Sequence, residues 1–347
     1  MPSLNTYVLD EIQSRFQLDP EWMTRSDKQI SWVAHNLEQS IEVSGPFESH
    51  GIDVVVVKST VPVVQDVRAD EEKVCALLAI ENRTAIGSAY VYDKDKREIF
   101  SSCKLVIHDE NFNWRCIHLQ TFIITQLILA ENTAEGLAEI VGGKVAAAPK
   151  TRTEPDDMLG AMDAYTLPLH QIASRFSVLE EFEQASDFCN QVGGFSAGGD
   201  ETGTSLEFRF TDEQTALGQL RSDVEHPAIG KGLLSLLRMP MSLSDLRRAA
   251  IEANEMNLEE ARFSKAINFT GAWTVNESGD RWDLAFSSFM PNVHFSRGLI
   301  TDACMALGIR VRHWEEVMYP DREFTKSAVE IAETRFSTVE SMSAVKH

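Results

Sequence analysis

The chain has 347 residues, 43% of them hydrophobic, which is enough for about two domains that each bury a core and excludes wholesale disorder. Its 32 Lys and Arg stand against 53 Asp and Glu, a formal charge of -21. That balance disfavours nucleic acid and anionic membranes; it suits a basic peptide or a basic protein surface as partner, and it is also an ordinary route to solubility.

The densest basic cluster, Arg238 with Arg247 and Arg248, lies among acids and reads as a solvated helix face. The opening "MPSLNTYVLDEIQSRF" lacks a basic region followed by an apolar run, so no signal peptide is expected. The longest apolar run, Phe122 to Ala130, is far short of the roughly 20 residues a membrane-spanning helix needs. A soluble, cytoplasmic protein is the expectation. Cys75, Cys103, Cys116, Cys189 and Cys304 form no CxxC pair, which suits reduced, buried thiols. The Asn-x-Ser/Thr matches at Asn82, Asn268 and Asn276 then carry no glycan.

In chain order, "IQSRF" at Ile12 to Phe16 returns as "IASRF" at Ile172 to Phe176, 160 positions later. A helix is predicted after each copy. The first runs from Trp22 to about Glu42; the second is "VLEEFEQASDFCNQVG", with Phe182 matched to Trp22, and breaks are expected at Gly45 and at Gly193-Gly194. Strands follow: "GIDVVVVKSTVPVV", where Pro62 marks an edge or a break, and "TSLEFRFT" with "GKGLLSLLRMPMSL". Two helices come next, one capped by Asp70 and ending at Asn82, the other capped by Ser244 or Ser242 and ending at Asn254. These asparagines are expected at equivalent helix ends.

Hairpins turn around "DKDK" and "NESGD", the latter placing Gly279 where a positive φ is wanted. Ile267, Phe269, Trp273 and Val275 alternate with polar residues, a period of two with one buried face. Closing helices fall on "RCIHLQTFIITQLILAENTAEGLAEIVG" and "FSRGLITDACMALGIRVRHWEEVM". The reading is an α+β fold of two tandem units, each helix, strands, helix, hairpin, helix, with antiparallel sheets backed by helices. Residues 1–142 form the first unit, 143–165 a Gly, Pro and charge-rich linker, and 166–320 the second. A C-terminal helix and tail, with a third near-copy "AETRF" at Ala332 to Phe336, occupies 321–347.

In "LRRAAIEANEMNLEEARFSKAINF", "DRWDLAFSSFMPN" and "VCALLAIENRTAIGSAYVY" the chain resembles the type III secretion chaperone-like domains, including the YbjN branch. The resemblance implies a curved antiparallel sheet backed by helices and units that pair. It also implies binding to other proteins without catalysis. The long insertion in the second unit and the apolar "VVVV" strand depart from that pattern and leave the strand count open.

Cys103, His108, Asp109, Cys116 and His118 fall within sixteen residues, yet Cys116 and His118 are two apart and point away from each other on a helix, and Cys103 alternates with Leu105 and Ile107. Buried thiols and surface histidines fit this spacing better than zinc. The run "GGFSAGGDETG" follows a helix, carries Asp200 and Glu201 and lacks the lysine of a phosphate loop, so it reads as a flexible turn. There is no GxSxG and no HExxH, and the pairs Asp156-Asp157, Glu180-Glu181 and Glu259-Glu260 fit capping and solvation.

Trp273, Trp282 and Phe286 read as core. Met239, Met241, Met256 and Met290 make the second unit the first place to look for a protein-binding groove. No catalytic, cofactor-binding or metal-ligating residue is assigned. Two functions remain open: a chaperone-like or adaptor protein, with a second copy of itself among its candidate partners (a homodimer), whose units form an intramolecular pair; or a small-ligand sensor or enzyme with a site in the cleft between the units.

Overall fold

The structure, a computed structural model, describes residues 4–16, 23–33, 35–49, 52–109, 111–148, 179–192, 195–200, 202–226, 230–262, 267–291 and 298–320. The fold is α+β, with two antiparallel sheets and helices packed on them. The first half runs α1 (Leu4–Phe16), β1 (Met23–Arg25), β2 (Gln29–Val33), β3 (Glu38–Ser49), β4 (Ile52–Gln65), α2 (Glu71–Glu81), β5 (Ala89–Asp93), β6 (Glu98–His108), α3 (Phe112–Val141) and β7 (Lys144–Val145). The second runs α4 (Leu179–Val192), β8 (Phe195–Asp200), β9 (Gly203–Arg209), β10 (Thr215–His226), β11 (Gly230–Leu243), α5 (Leu246–Arg262), β12 (Ala272–Ser278), β13 (Arg281–Pro291) and α6 (Leu299–Met318).

The first sheet has the order β1-β2-β3-β4-β6-β5, with β7 added to β4; the second reads β8-β9-β10-β11-β13-β12 from the corresponding edge. In each, four consecutive antiparallel strands precede a helix, and the following hairpin returns beside the fourth strand.

Val55, Val57, Val61 and Val63 point from β4 to the side occupied by α1 and α3, where Val8, Leu9, Ile12, Ile123 and Leu127 are also buried. Val56 is buried on the opposite face, so the "VVVV" run belongs to a central strand covered on both sides. Pro62 does not end that strand; the register between β4 and β6 shifts there, which accommodates the missing amide.

Three expectations change. The stretch 22–42 is not helical: from residue 23 on, its described part holds β1, β2 and the start of β3. Ile30 and Trp32 in β2, and Ile41 and Val43 in β3, are buried two apart, with Ser31 and Val33 of β2 also covered, and the turn between the strands brings the two short runs to a helix-like spacing. Asn82 caps the C-terminus of α2, but Asn254 lies inside α5, eight positions before its last residue Arg262, so the two are not equivalent helix ends. The N-terminal cap of α5 is Asp245, whose carboxylate accepts the Arg247 amide at 2.9 Å; Ser242 instead bonds Asp283.

Lys144 to Ala148, assigned to the linker by composition, are built into the first half through β7 and through the Ala148 amide, which bonds the Asn36 carbonyl at 2.7 Å. Ile172 to Phe176, Ala332 to Phe336, Trp22, Gly193-Gly194 and Asp156-Asp157 lie outside the described residues.

Candidate functional site

An edge strand presents unpaired amides and carbonyls that must find partners if they are covered. β5 and β12 are the edges at which the two sheets meet, and α2 and α5 pack against each other between them. A carboxamide offers one donor side and one acceptor side and can close such an edge as a peptide group would. Asn82 accepts the Tyr90 amide and donates to the Tyr90 carbonyl, both at 2.9 Å. Asn257, 175 positions later, does the same for Trp273 at 2.7 and 2.9 Å.

The edges are also closed from the opposite half. Asn254 accepts the Tyr92 amide at 2.8 Å and donates to the Tyr92 carbonyl at 2.9 Å. In return, the Arg83 guanidinium donates to the Val275 carbonyl at 3.1 Å, and the Thr274 hydroxyl donates to the Ala79 carbonyl.

A second seam lies where β6 outruns β5. Lys104 and Phe269 exchange backbone hydrogen bonds of 2.9 and 2.8 Å, and the Val106 amide donates to the Asn268 side chain at 2.7 Å. Beside it is the most polar part of the core. Glu260, fully buried, accepts Arg310 Nε at 2.9 and 3.0 Å, the Trp273 indole at 2.7 Å and the Trp314 indole at 2.9 Å.

The Arg310 guanidinium also lies 3.6 Å above the Phe286 ring and donates to the Asn268 carbonyl at 2.6 Å. Lys104 Nζ donates to the Glu260 carbonyl. Burial pulls the Lys104 ammonium down to about 8, against the opposing pull of the Glu260 carboxylate. Burial likewise lowers the His313 imidazole. Arg115 of α3 forks onto Asp302 of α6 at 2.8 and 2.6 Å, and Arg262 of α5 pairs with Asp93 of β5.

Most of these groups bond one another, while the His313 Nε2 is buried with no hydrogen-bond partner among the described residues. A cavity of about 50 Å³ is lined by Arg115, Asn268, Ser288, Asp302 and Arg310, among others. A ligand pocket ordinarily needs about 300–1,000 Å³. A larger, open groove of about 530 Å³ lies on the second half alone, lined by Gln214, Pro240, Met241, Ser242, Leu243, Glu252, Arg281 and Met318.

The residues singled out by sequence scatter among these features. Cys103, Cys116 and His118 are buried at separate points of β6 and α3, and Cys103 Sγ lies 3.9 Å from Gln126. Among the described residues no three potential metal ligands come together. The glycine-rich run is not a turn throughout, since Phe195–Asp200 is strand β8 paired with β9. Arg247 pairs with Glu72, Arg248 with Glu252 and Arg238 with Asp283. Trp273 and Phe286 are buried, and Met239 and Met256 belong to the core, while Met241 lines the open groove.

Glu260, read as half of a solvated pair, is instead the centre of the buried network. The sequence signal that could have found it is its place in an amphipathic helix, four positions after the buried Met256 and seven after Ala253. Among the described residues no helix is long and apolar enough to cross a membrane. No family model matches the chain, and no curated protein or solved structure matches it.

Proposed function

We propose that this chain is a non-catalytic protein-binding protein, chaperone-like or adaptor in role, whose halves arose by tandem duplication and form an intramolecular pseudo-dimer. The observation that carries the reading is the filled junction. Asn254, Arg83, Lys104 and Glu260 spend their hydrogen-bonding capacity on the opposite half or on one another, and the cavity beside them among the described residues is about 50 Å³. A cleft enzyme or sensor needs such groups turned toward a substrate. With the inner surfaces used for association, the outer surface is what remains for a partner. The formal charge of -21 favours one with a basic face.

The experiment is purification of the tagged full chain from its own host at low and moderate salt, with mass spectrometry of what stays bound. The expected result is a stoichiometric basic protein that is lost as salt rises. A chain that emerges alone while carrying a small molecule or a metal overturns the reading.

A further inference from the structure

The five cysteines are scattered along the chain, yet two of them meet in the second half. Phe182, Ala185 and Cys189 recur at helical spacing along α4 and form its buried stripe. On α6 the buried stripe holds Ile300, Cys304, Leu307 and Val311. The two helices pack against each other, and the Gly298 amide at the start of α6 donates to the Glu181 carboxylate at 3.1 and 3.0 Å. Cys189 follows Glu181 by eight positions and Cys304 follows Gly298 by six, roughly two turns in each case, so both sulfurs arrive at the same level of the pair. There they are in hydrogen-bond contact, both free and both fully buried, although 115 positions separate them in the chain. Cys75, Cys103 and Cys116 sit at separate points of the first half, on α2, β6 and α3.

Burial does not put this pair beyond reach of a reagent. Among the described residues the main packing partners of α4 are β8, β9 and α6, and β8 and β9 form the end of the second sheet away from the junction. One hydroxyl bond, between Ser186 and Thr204 at 2.8 Å, ties the helix to β9. The seams at Asn254 and at Lys104 with Phe269 involve none of its residues, so α4 opens locally while the halves stay joined.

We propose that Cys189 and Cys304 are a redox-active pair, which a low-molecular-weight disulfide of the glutathione class converts into a disulfide that locks α4 onto α6. The Cys189 thiolate attacks one sulfur of the oxidant and displaces one glutathione thiolate. The Cys304 thiolate then attacks Cys189 Sγ in the mixed disulfide and displaces the second. Two protein thiols give up two electrons and their protons, and one glutathione disulfide becomes two glutathione thiols, so the exchange runs in either direction. The order follows from the contact itself: the hydrogen bond with Cys304 holds the Cys189 thiol below its ordinary value and raises Cys304 well above its own, which makes Cys189 the attacking sulfur. Once Cys189 is in the mixed disulfide, that bond no longer holds the Cys304 proton. A link that closes so long a loop restricts the unfolded chain strongly. This inference goes beyond the proposed function and stands independently of it.

The test incubates the full chain with oxidised glutathione at about pH 8, quenches with acid, alkylates the remaining thiols in denaturant and maps every cysteine by mass spectrometry. The expected product is a peptide pair joined from Cys189 to Cys304, returned to thiols by dithiothreitol, with Cys75, Cys103 and Cys116 still reduced. Cys304→Ser should stop at glutathionylated Cys189, whereas Cys189→Ser should take up glutathione at least about tenfold more slowly. Absence of the joined pair, an unsubstituted chain that stops at the mixed disulfide, or equal linkage among all the cysteines overturns the proposal. If a serine variant fails to fold, the unsubstituted chain decides through its melting temperature, which the link should raise by about 5 °C or more. An oxidised chain that melts no higher than the reduced one contradicts the lock.

Discussion

The side chain of Asn254 closes the backbone of Tyr92 from the opposite half of the molecule, accepting its amide at 2.8 Å and donating to its carbonyl at 2.9 Å. Replacing Asn254 by Ala leaves two buried backbone groups without partners at the meeting of the sheets, each costing about 1–3 kcal/mol. Urea unfolding of Asn254→Ala should show a loss of about 2–4 kcal/mol. Asn254→Asp should lose nearly as much, because a carboxylate cannot donate to the Tyr92 carbonyl.

Glu260 and Arg310 predict a non-additive pair. Removing either partner leaves a buried charge uncompensated, at about 3–5 kcal/mol for Glu260→Gln or Arg310→Met alone. The double variant removes both charges and keeps a side-chain oxygen for the Trp273 and Trp314 indoles. Thermal or urea unfolding should therefore show the double variant more stable than the sum of the single losses by at least about 2 kcal/mol.

Lys104 predicts a pH dependence of defined sign. Its ammonium is pulled from an ordinary value of 10.5 down to about 8, first by burial. Between those values the unfolded chain binds more protons than the folded one, so this lysine makes stability rise with pH. Its cost is full below about 8 and relieved toward 10.5. Unfolding free energies from pH 7 to 10 should climb relative to Lys104→Met, which lacks the titration and should be the more stable protein at pH 7 by something on the order of 3 kcal/mol.

The thiols predict an order of reactivity. Burial pushes Cys75, Cys103 and Cys116 up to about 12, so their thiolates are scarce at pH 8. Cys189 on α4 is shifted the other way, below its ordinary value, by a hydrogen bond with Cys304 on α6. Alkylation of the native chain at pH 8, mapped by mass spectrometry, should modify Cys189 before those three, and all five only after unfolding. Faster labelling at Cys103 would contradict the placement of β6.

How much was legible in the sequence can be judged element by element. α2, both hairpins and the closing helices were readable because each carries a visible period and a boundary signal, as at the Asp70 cap or Gly279, whereas α5 was located but both of its ends were misplaced. The misreading of 22–42 came from Gln39, a polar residue at a core-facing position that breaks the visible alternation of β3. Its burial makes sense only with partners supplied by Trp32, Ser59 and Gln126, two of them far along the chain.

The echo spaced 160 apart drew attention to two halves, and its second copy, Ile172 to Phe176, lies outside the described residues. By element order α4, with buried Ala185 and Cys189, stands where α1 stands, and Asn257 rather than Asn254 plays the part of Asn82. The seams could not be read at all, because which carboxamide closes which edge depends on tertiary placement and not on local pattern.

The two halves are sealed to each other through Asn254 on Tyr92 and through the Lys104–Phe269 backbone pair. Residue-resolved hydrogen exchange at the Tyr92 and Phe269 amides tests this seal most directly, since both amides are bonded only across the junction. Protection approaching that of Val57 and Leu237 in the centres of the sheets is expected, with exchange by global unfolding. Exchange of Tyr92 and Phe269 at the rate of an exposed edge strand would contradict it and reopen the junction as a site for a ligand.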